Sequence, residues 1–99
     1  MTTAITFEHA LIPHIPGEAM TTGHAKKLAG VHEETIRRWC EEKGIGRKVM
    51  GRWRVSRVAL TMLVETNTRA LRLYLAGERH HPEVAAYFER FGLKLRPWA

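Results

Sequence analysis

The chain carries two consecutive runs in which apolar residues recur every three or four positions, the spacing of one helical face. The inward positions of the first run are Ala25, Leu28 and Ala29. Those of the second run are Ile36, Trp39 and Cys40. Thr22 can cap the first helix, while Gly30 and Gly44 are placed to end the two helices. The pattern predicts two short helices joined by a turn.

The segment RKVMGRWRV that follows alternates with a period of two, which is typical of strands. Gly51 marks a turn, and Trp53 and Val55 point to one side while Arg52 and Arg54 point to the other. Ser56 then fits the N-cap of a third helix, RVALTMLVE. Its inward positions are Leu60, Leu63 and Val64. The predicted order is helix, turn, helix, hairpin, helix.

Both ends of the chain extend beyond this unit. Residues 1–20 show no sustained period, and Pro13 and Pro16 exclude a helix there, although Ile5 and Phe7 allow a short strand. We therefore interpret residues 1–20 as an N-terminal arm.

The C-terminal part has helical periodicity again. One apolar stripe consists of Leu71, Tyr74 and Leu75. The helix that carries this stripe can simply prolong the third helix. A final helix begins near Pro82 and ends before Gly92, and its stripe consists of Val84, Tyr87, Phe88 and Phe91. The predicted fold is mainly α with a small β-hairpin: a winged helix-turn-helix over residues 21–66 with a helical extension over residues 67–99.

Composition limits the class of protein. The 99 residues are 44% hydrophobic and 26% charged, as in an ordinary globular domain, and no apolar stretch is long enough to span a membrane. The N-terminus lacks the basic start and apolar core of an export signal. The lone Cys40 excludes an internal disulfide and a multi-cysteine zinc site. We expect a cytoplasmic protein.

The positive charge is concentrated in one segment. Between positions 37 and 57 there are eight basic and two acidic residues, which accounts for the formal net charge of +6 of the whole chain. This segment covers the second helix and the hairpin, so the charge can meet a polyanion on one face. The expected partner is double-stranded DNA; the alternative is a solvated basic surface.

A helix that follows such a turn can enter the major groove of DNA. Opposite the apolar stripe of the second helix, the residues predicted to read bases are Glu34, Arg37 and Arg38. Those predicted to meet the DNA backbone at helix starts are Thr22, His32 and Thr35. The wing residues predicted to lie along the backbone or minor groove are Arg47, Lys48, Arg52 and Arg54. Alternatively, Glu34 and Arg38 form only a solvent-exposed ion pair.

Other chemistry has little support in the sequence. The six histidines and the cysteine do not follow a metal-binding spacing, and the ten acidic residues, all glutamate, form no paired-acid motif. The glycines around the hairpin do not form a phosphate loop. We expect no enzyme activity, no metal and no cofactor.

The segments TTGHAKKLAGVHEETIRRWCEEKG and GRKVMGRWRVSRVAL resemble the excisionase group of MerR-like winged helix-turn-helix domains, which includes recombination directionality factors. The residues that carry the resemblance are Leu28, Gly30, Val31, Thr35, Ile36, Arg38, Trp39, the wing from Gly51 to Val55, and Ser56. The resemblance implies a protein that binds repeated sites cooperatively, bends DNA, contacts a tyrosine integrase and favours excision of a mobile element. It implies no catalysis by the protein itself.

The final helix is the candidate surface for self-association or for the integrase, through Val84, Tyr87, Phe88 and Phe91. The alternative is that this stripe packs on the core of the same domain. A transcription regulator that binds a promoter is the second interpretation of the whole chain, since both proteins use the same DNA chemistry. A third is an adaptor whose basic face binds an acidic protein.

Overall fold

Five helices and a three-stranded antiparallel sheet form residues 9–95, the part of the chain that the computed structural model describes. In chain order the elements are β1 (Ala19–Met20), α1 (Thr22–Ala29), α2 (Glu33–Lys43), β2 (Gly46–Val49), β3 (Arg52–Ser56), α3 (Arg57–Val64), α4 (Thr68–Leu75) and α5 (Pro82–Arg90). The helices α1 and α2, the turn between them and the β2–β3 hairpin form a winged helix-turn-helix. The predicted fold class is confirmed.

The first two helices end at the predicted glycines, but the start of α1 differs from the prediction. Gly30 and Gly44 both adopt left-handed backbone conformations with φ of 70°. The N-cap of α1 is Thr21, whose extended backbone lets its hydroxyl accept a 3.1 Å hydrogen bond from the backbone N–H of His24. The prediction of Thr22 as the cap was therefore wrong, and Thr22 is the first residue of the helix.

One inward position of α1 was also predicted wrongly. Ala25 is fully buried and Ala29 is half-buried, as expected, whereas Leu28 is 49% exposed. The helix α1 is short and contacts the core through the small side chain of Ala25. Its buried face is therefore narrow and does not include Leu28.

The sheet has the order β1-β3-β2, with β3 in the middle. In the β2–β3 hairpin, Met50 and Gly51 both have positive φ, 54° and 81°, which is the signature of a tight two-residue hairpin turn. The sequence did not predict β1, because a strand of two residues is too short to show an alternating pattern. The strand is defined by the pairing of Ala19 with Ser56 and of Met20 with Val55. The possible strand at Ile5 and Phe7 lies outside the described residues.

A turn separates α3 from α4, so α4 does not prolong α3. Thr66 has a φ of 56°, and the side chain of Asn67 accepts a 3.1 Å hydrogen bond from the N–H of Ala70 to cap α4. The predicted inward residue Val64 is 48% exposed. The buried positions of α3 are Val58, Ala59, Leu60 and Met62, because this helix packs against α1 and β3 on one side and α4 on the other.

Residues 9–18, part of the predicted arm, pack against the C-terminal helices. Ile15 is 2% exposed and belongs to the hydrophobic core. The guanidinium of Arg79, which is also buried, donates hydrogen bonds to the carbonyl oxygens of His9, Ile12 and Tyr74. A loop of the C-terminal extension thus binds the N-terminal segment through its backbone.

The apolar stripe of α5 packs on the protein's own core. Val84 is fully buried, and Tyr87 and Phe88 are only 8% and 1% exposed. The prediction that this stripe forms a surface for self-association or for an integrase was therefore wrong for these three residues, and the alternative of internal packing is confirmed for them. Phe91 is half-buried and packs against the same core. Within residues 9–95, no helix combines the length and the apolar character that a membrane span requires.

Candidate nucleic-acid interface

The second helix, α2, has the predicted rotation. Ile36 and Cys40 are buried against the domain, and on the opposite side Glu34, Arg37 and Arg38 are exposed. The alternative in which Glu34 pairs with Arg38 is not seen: in the described part of the chain, the ion pair within α2 joins Arg37 and Glu33, 4.0 Å apart. The side chains of Glu34 and Arg38 therefore face solvent without binding each other.

The start of α2 lies beside the start of α1. The hydroxyl of Thr22 donates a 2.5 Å hydrogen bond to Oε2 of Glu33, and this bond connects the two helices. His32 occupies the N-cap position with an extended backbone and an exposed side chain that makes no capping hydrogen bond. Thr35 is half-buried in the first turn. Of the three residues predicted at helix starts, His32 is thus the one whose side chain is most accessible to a ligand.

The wing places its cations by cross-strand pairing. Arg47 lies opposite Arg54 in the register, and Lys48 lies opposite Trp53. The ammonium of Lys48 is 5.4 Å from the centroid of the Trp53 ring, a cation–π contact. Trp53 is half-buried and packs against the core.

Three arginines from two elements meet in one groove of about 250 Å³. Its lining consists of Thr21, Thr22, Arg37, Arg52, Trp53 and Arg54. Arg52 and Arg54 were predicted as wing residues, whereas Arg37 was predicted with the base-reading group. The tertiary structure places Arg37 beside the wing.

Two residues of this region were missed by the sequence reasoning. Thr21 was overlooked because two adjacent threonines are equally good caps from sequence alone. Glu33 was overlooked because it precedes the base-reading positions, although its spacing of four residues from Arg37 is a sequence signal for an ion pair.

Cys40 contributes to packing. Burial, and secondarily the charge of Glu41, raises the pKa of its thiol to about 11, so the thiol stays protonated at neutral pH. The side chain lies between α2 and the start of β2, where a Cβ at Gly46 would be 2.9 Å from the sulfur. The thiol belongs to the junction that positions the wing relative to α2.

Residues 19–68 match the model of a protein family described as a helix-turn-helix domain. The match begins at β1 and ends at the first residue of α4, so it contains α1, α2, the wing and α3. It covers just over half of the 99 residues and every residue of the predicted interface. Searches of the curated proteins and of the solved structures gave no match.

Proposed function

This chain belongs to the helix-turn-helix domain family, and from that premise we propose that it is a sequence-specific DNA-binding protein of the excisionase type. Membership of this family implies DNA binding. The observation that carries the proposal is the position of the exposed Glu34 and Arg38 on α2, next to a groove lined by three arginines. A reading helix beside a cationic wing is the arrangement by which this fold binds duplex DNA.

In the proposed complex, α2 lies in the major groove. The guanidinium of Arg38 donates two hydrogen bonds to O6 and N7 of a guanine, and the carboxylate of Glu34 accepts one from the amino group of a cytosine. The wing lies along the adjacent backbone or minor groove, where its cations position the protein without reading sequence. Its contributing side chains are Arg47, Lys48, Arg52 and Arg54.

The excisionase role rests on the resemblance of the α1–α2 segment and the wing to recombination directionality factors. In this role the protein binds repeated sites in the cytoplasm, at the nucleoid, and bends the DNA so that a tyrosine integrase excises a mobile element. It needs no cofactor and catalyses no step itself. Because the α5 stripe is buried, contacts with an integrase or a second copy would use other surfaces.

The first test is selection of binding sites from a random pool of duplex DNA, followed by footprinting. We expect the wild-type chain to enrich a defined site and Arg38→Ala to lose about 1 to 3 kcal/mol of discrimination at one base pair, the value of a bidentate arginine–guanine contact. Arg69→Ala is the matched control, since Arg69 is an exposed arginine that pairs with Glu83 away from the interface. An Arg38→Ala variant with unchanged preference would contradict base reading by Arg38.

The second test separates excision control from transcription control. An excision assay with the tyrosine integrase of the mobile element is expected to depend on the protein, and a bound fragment is expected to show a bend by its altered gel mobility. Binding at a promoter that changes transcript levels while excision is unaffected would instead establish a transcription regulator. Weak binding that is indifferent to sequence even at low salt would favour the adaptor.

A further inference from the structure

Arg37 lies on a different flank of α2 from Arg38. At about 100° per residue, Arg37 is about 100° from the buried Ile36 and Arg38 about 200° from it. Glu33 lies about 60° from Ile36 in the same direction, so Glu33 and Arg37 share the flank toward α1. Arg38 therefore points away from the domain, whereas Arg37 points along its surface.

Glu33 holds Arg37 in this direction. The carboxylate oxygen of Glu33 that accepts the 2.5 Å hydrogen bond from Thr22 is also the atom that lies 4.0 Å from Nη1 of Arg37. The same oxygen thus connects the start of α1 with the guanidinium on α2. The Arg37 side chain remains 47% exposed, so it can still bind a ligand.

The groove beside Arg37 has the chemistry of an anion site. Its lining consists of three arginines, two threonines and Trp53, and the carboxylate of Glu33 borders it at Thr22 and Arg37. Three arginines beside the single carboxylate of Glu33 leave an excess of positive charge, which favours the binding of an anion. A guanidinium presents N–H donors in a planar fork that fits the oxygens of a phosphate.

We propose that Arg37, Arg52 and Arg54 bind one phosphodiester of the DNA backbone in this groove, and that base reading is left to Glu34 and Arg38. The inference rests on the proposed DNA-binding function. A phosphate held at once by α2 and by β3 fixes the angle at which the recognition helix enters the groove relative to the wing. Glu33 is a positioning residue that orients Arg37 toward this phosphate.

The test compares Arg37→Ala with Arg38→Ala on two duplexes, the one selected by the wild-type chain and a scrambled one, over about 50 to 200 mM salt. Arg37→Ala is expected to weaken binding to both duplexes by about tenfold, the size of one charge-assisted hydrogen bond. The slope of log affinity against log salt becomes shallower by no more than about one, because Arg52 and Arg54 still face the same phosphate, and the ratio of the affinities for the two duplexes is unchanged. Arg38→Ala lowers that ratio.

Two further variants test whether the arginines share a phosphate. The double variant R37A/R52A is expected to lose about one unit of salt slope in total, because both residues neutralise the same phosphate; a loss of two would overturn the shared site. Arg37→Lys retains the charge without the fork, so it keeps the wild-type slope but binds both duplexes more weakly.

The outcomes separate this inference from the proposed function. A wild-type chain that enriches no duplex from the random pool would end the proposed function. If the wild-type chain binds and Arg37→Ala changes the ratio between duplexes as Arg38→Ala does, Arg37 reads bases and the inference alone is wrong. Unchanged affinity of Arg37→Ala for both duplexes would also overturn the inference. Circular dichroism of each variant, with Arg69→Ala as the control, verifies that the fold is retained.

Discussion

Gly46, the first residue of β2, occupies a position that has no room for a side chain. A Cβ built there would lie 2.3 Å from the carbonyl oxygen of Arg54, 2.9 Å from the sulfur of Cys40 and 3.1 Å from Cα of Val55. The close approach lets β2 leave the end of α2 and pair at once with β3. The glycine thereby sets where the wing lies relative to the recognition helix.

We expect Gly46→Ala to lower the free energy of unfolding by about 1 to 3 kcal/mol, since the added methyl group must displace backbone atoms of β3. Gly23→Ala is the matched control. Gly23 lies in α1, where a Cβ would meet only the hydroxyl of Thr21 at 3.8 Å, so this variant is expected to gain about 0.4 to 1 kcal/mol. Urea denaturation measures both changes, and equal stability of the two variants would contradict the steric argument.

Among the elements, the N-terminal segment is joined to the winged domain by a buried carboxyl group. Oε2 of Glu18 accepts hydrogen bonds from the hydroxyls of Ser56, at 2.6 Å, and Tyr74, at 2.5 Å. The Ser56 hydroxyl in turn accepts from the N–H of Ala59 and so caps α3 as predicted. One side chain therefore connects the segment before β1 with the end of β3 and with α4.

Glu18 is also expected to make stability depend on pH. Burial raises the pKa of its carboxyl, outweighing the hydrogen bonds from Ser56 and Tyr74 and the charge of Arg79, which lower it. Between the ordinary pKa of about 4.5 and the raised value, the unfolded chain releases this proton and the folded chain keeps it. The contribution of Glu18 to the free energy of unfolding therefore falls as pH rises through this interval.

Thermal melts of the wild-type chain and of Glu18→Gln measure this contribution, because glutamine cannot titrate. We expect the difference in Tm, wild type minus variant, to be largest near pH 4 and to decrease toward pH 7. Titrating groups that do not interact with Glu18 cancel in the difference. A difference that grows with pH would mean that the folded state stabilises the carboxylate, opposite to the effect of burial.

At the scale of the whole molecule, the hydrophobic core includes residues on both sides of the segment 19–68 that matches the family. Ile15 precedes residues 19–68, while Tyr74 and Phe88 follow them, and all three are at most 2% exposed. The rings of Tyr74 and Phe88 lie 6.3 Å apart, and α4 packs against α3. The predicted division into an arm, residues 21–66 and residues 67–99 remains a hypothesis, but the packing joins the described parts of all three.

We therefore expect a fragment of residues 19–68 to be largely unfolded at 25 °C, because it loses core partners of α3 and exposes Val58, Leu60 and Met62. Circular dichroism and thermal melting compare the fragment with the full chain. Cooperative melting of the fragment at the temperature of the full chain would refute this expectation.

The sequence alone determined the elements whose signals lie within a few residues. The stripe of Ile36 and Cys40 defines the buried face of α2, and Gly30 and Gly44 end their helices because they readily adopt positive φ. The exposed position of Glu34 and Arg38 follows from the same periodicity. These features depend on backbone preferences and on side-chain spacing along one element, and both can be read directly from the order of residues.

The tertiary structure was needed to show which elements share a site or a core. The hydrogen bonds of Glu18 join residues 38 and 56 positions apart, and the groove brings Arg37 together with Arg52 of another element. The packing of the α5 stripe also required the tertiary structure, because a stripe that faces an internal core and one that faces a partner have the same periodicity. Periodicity shows which face of a helix is apolar, whereas its neighbour is determined by the packing of segments that are distant in the chain.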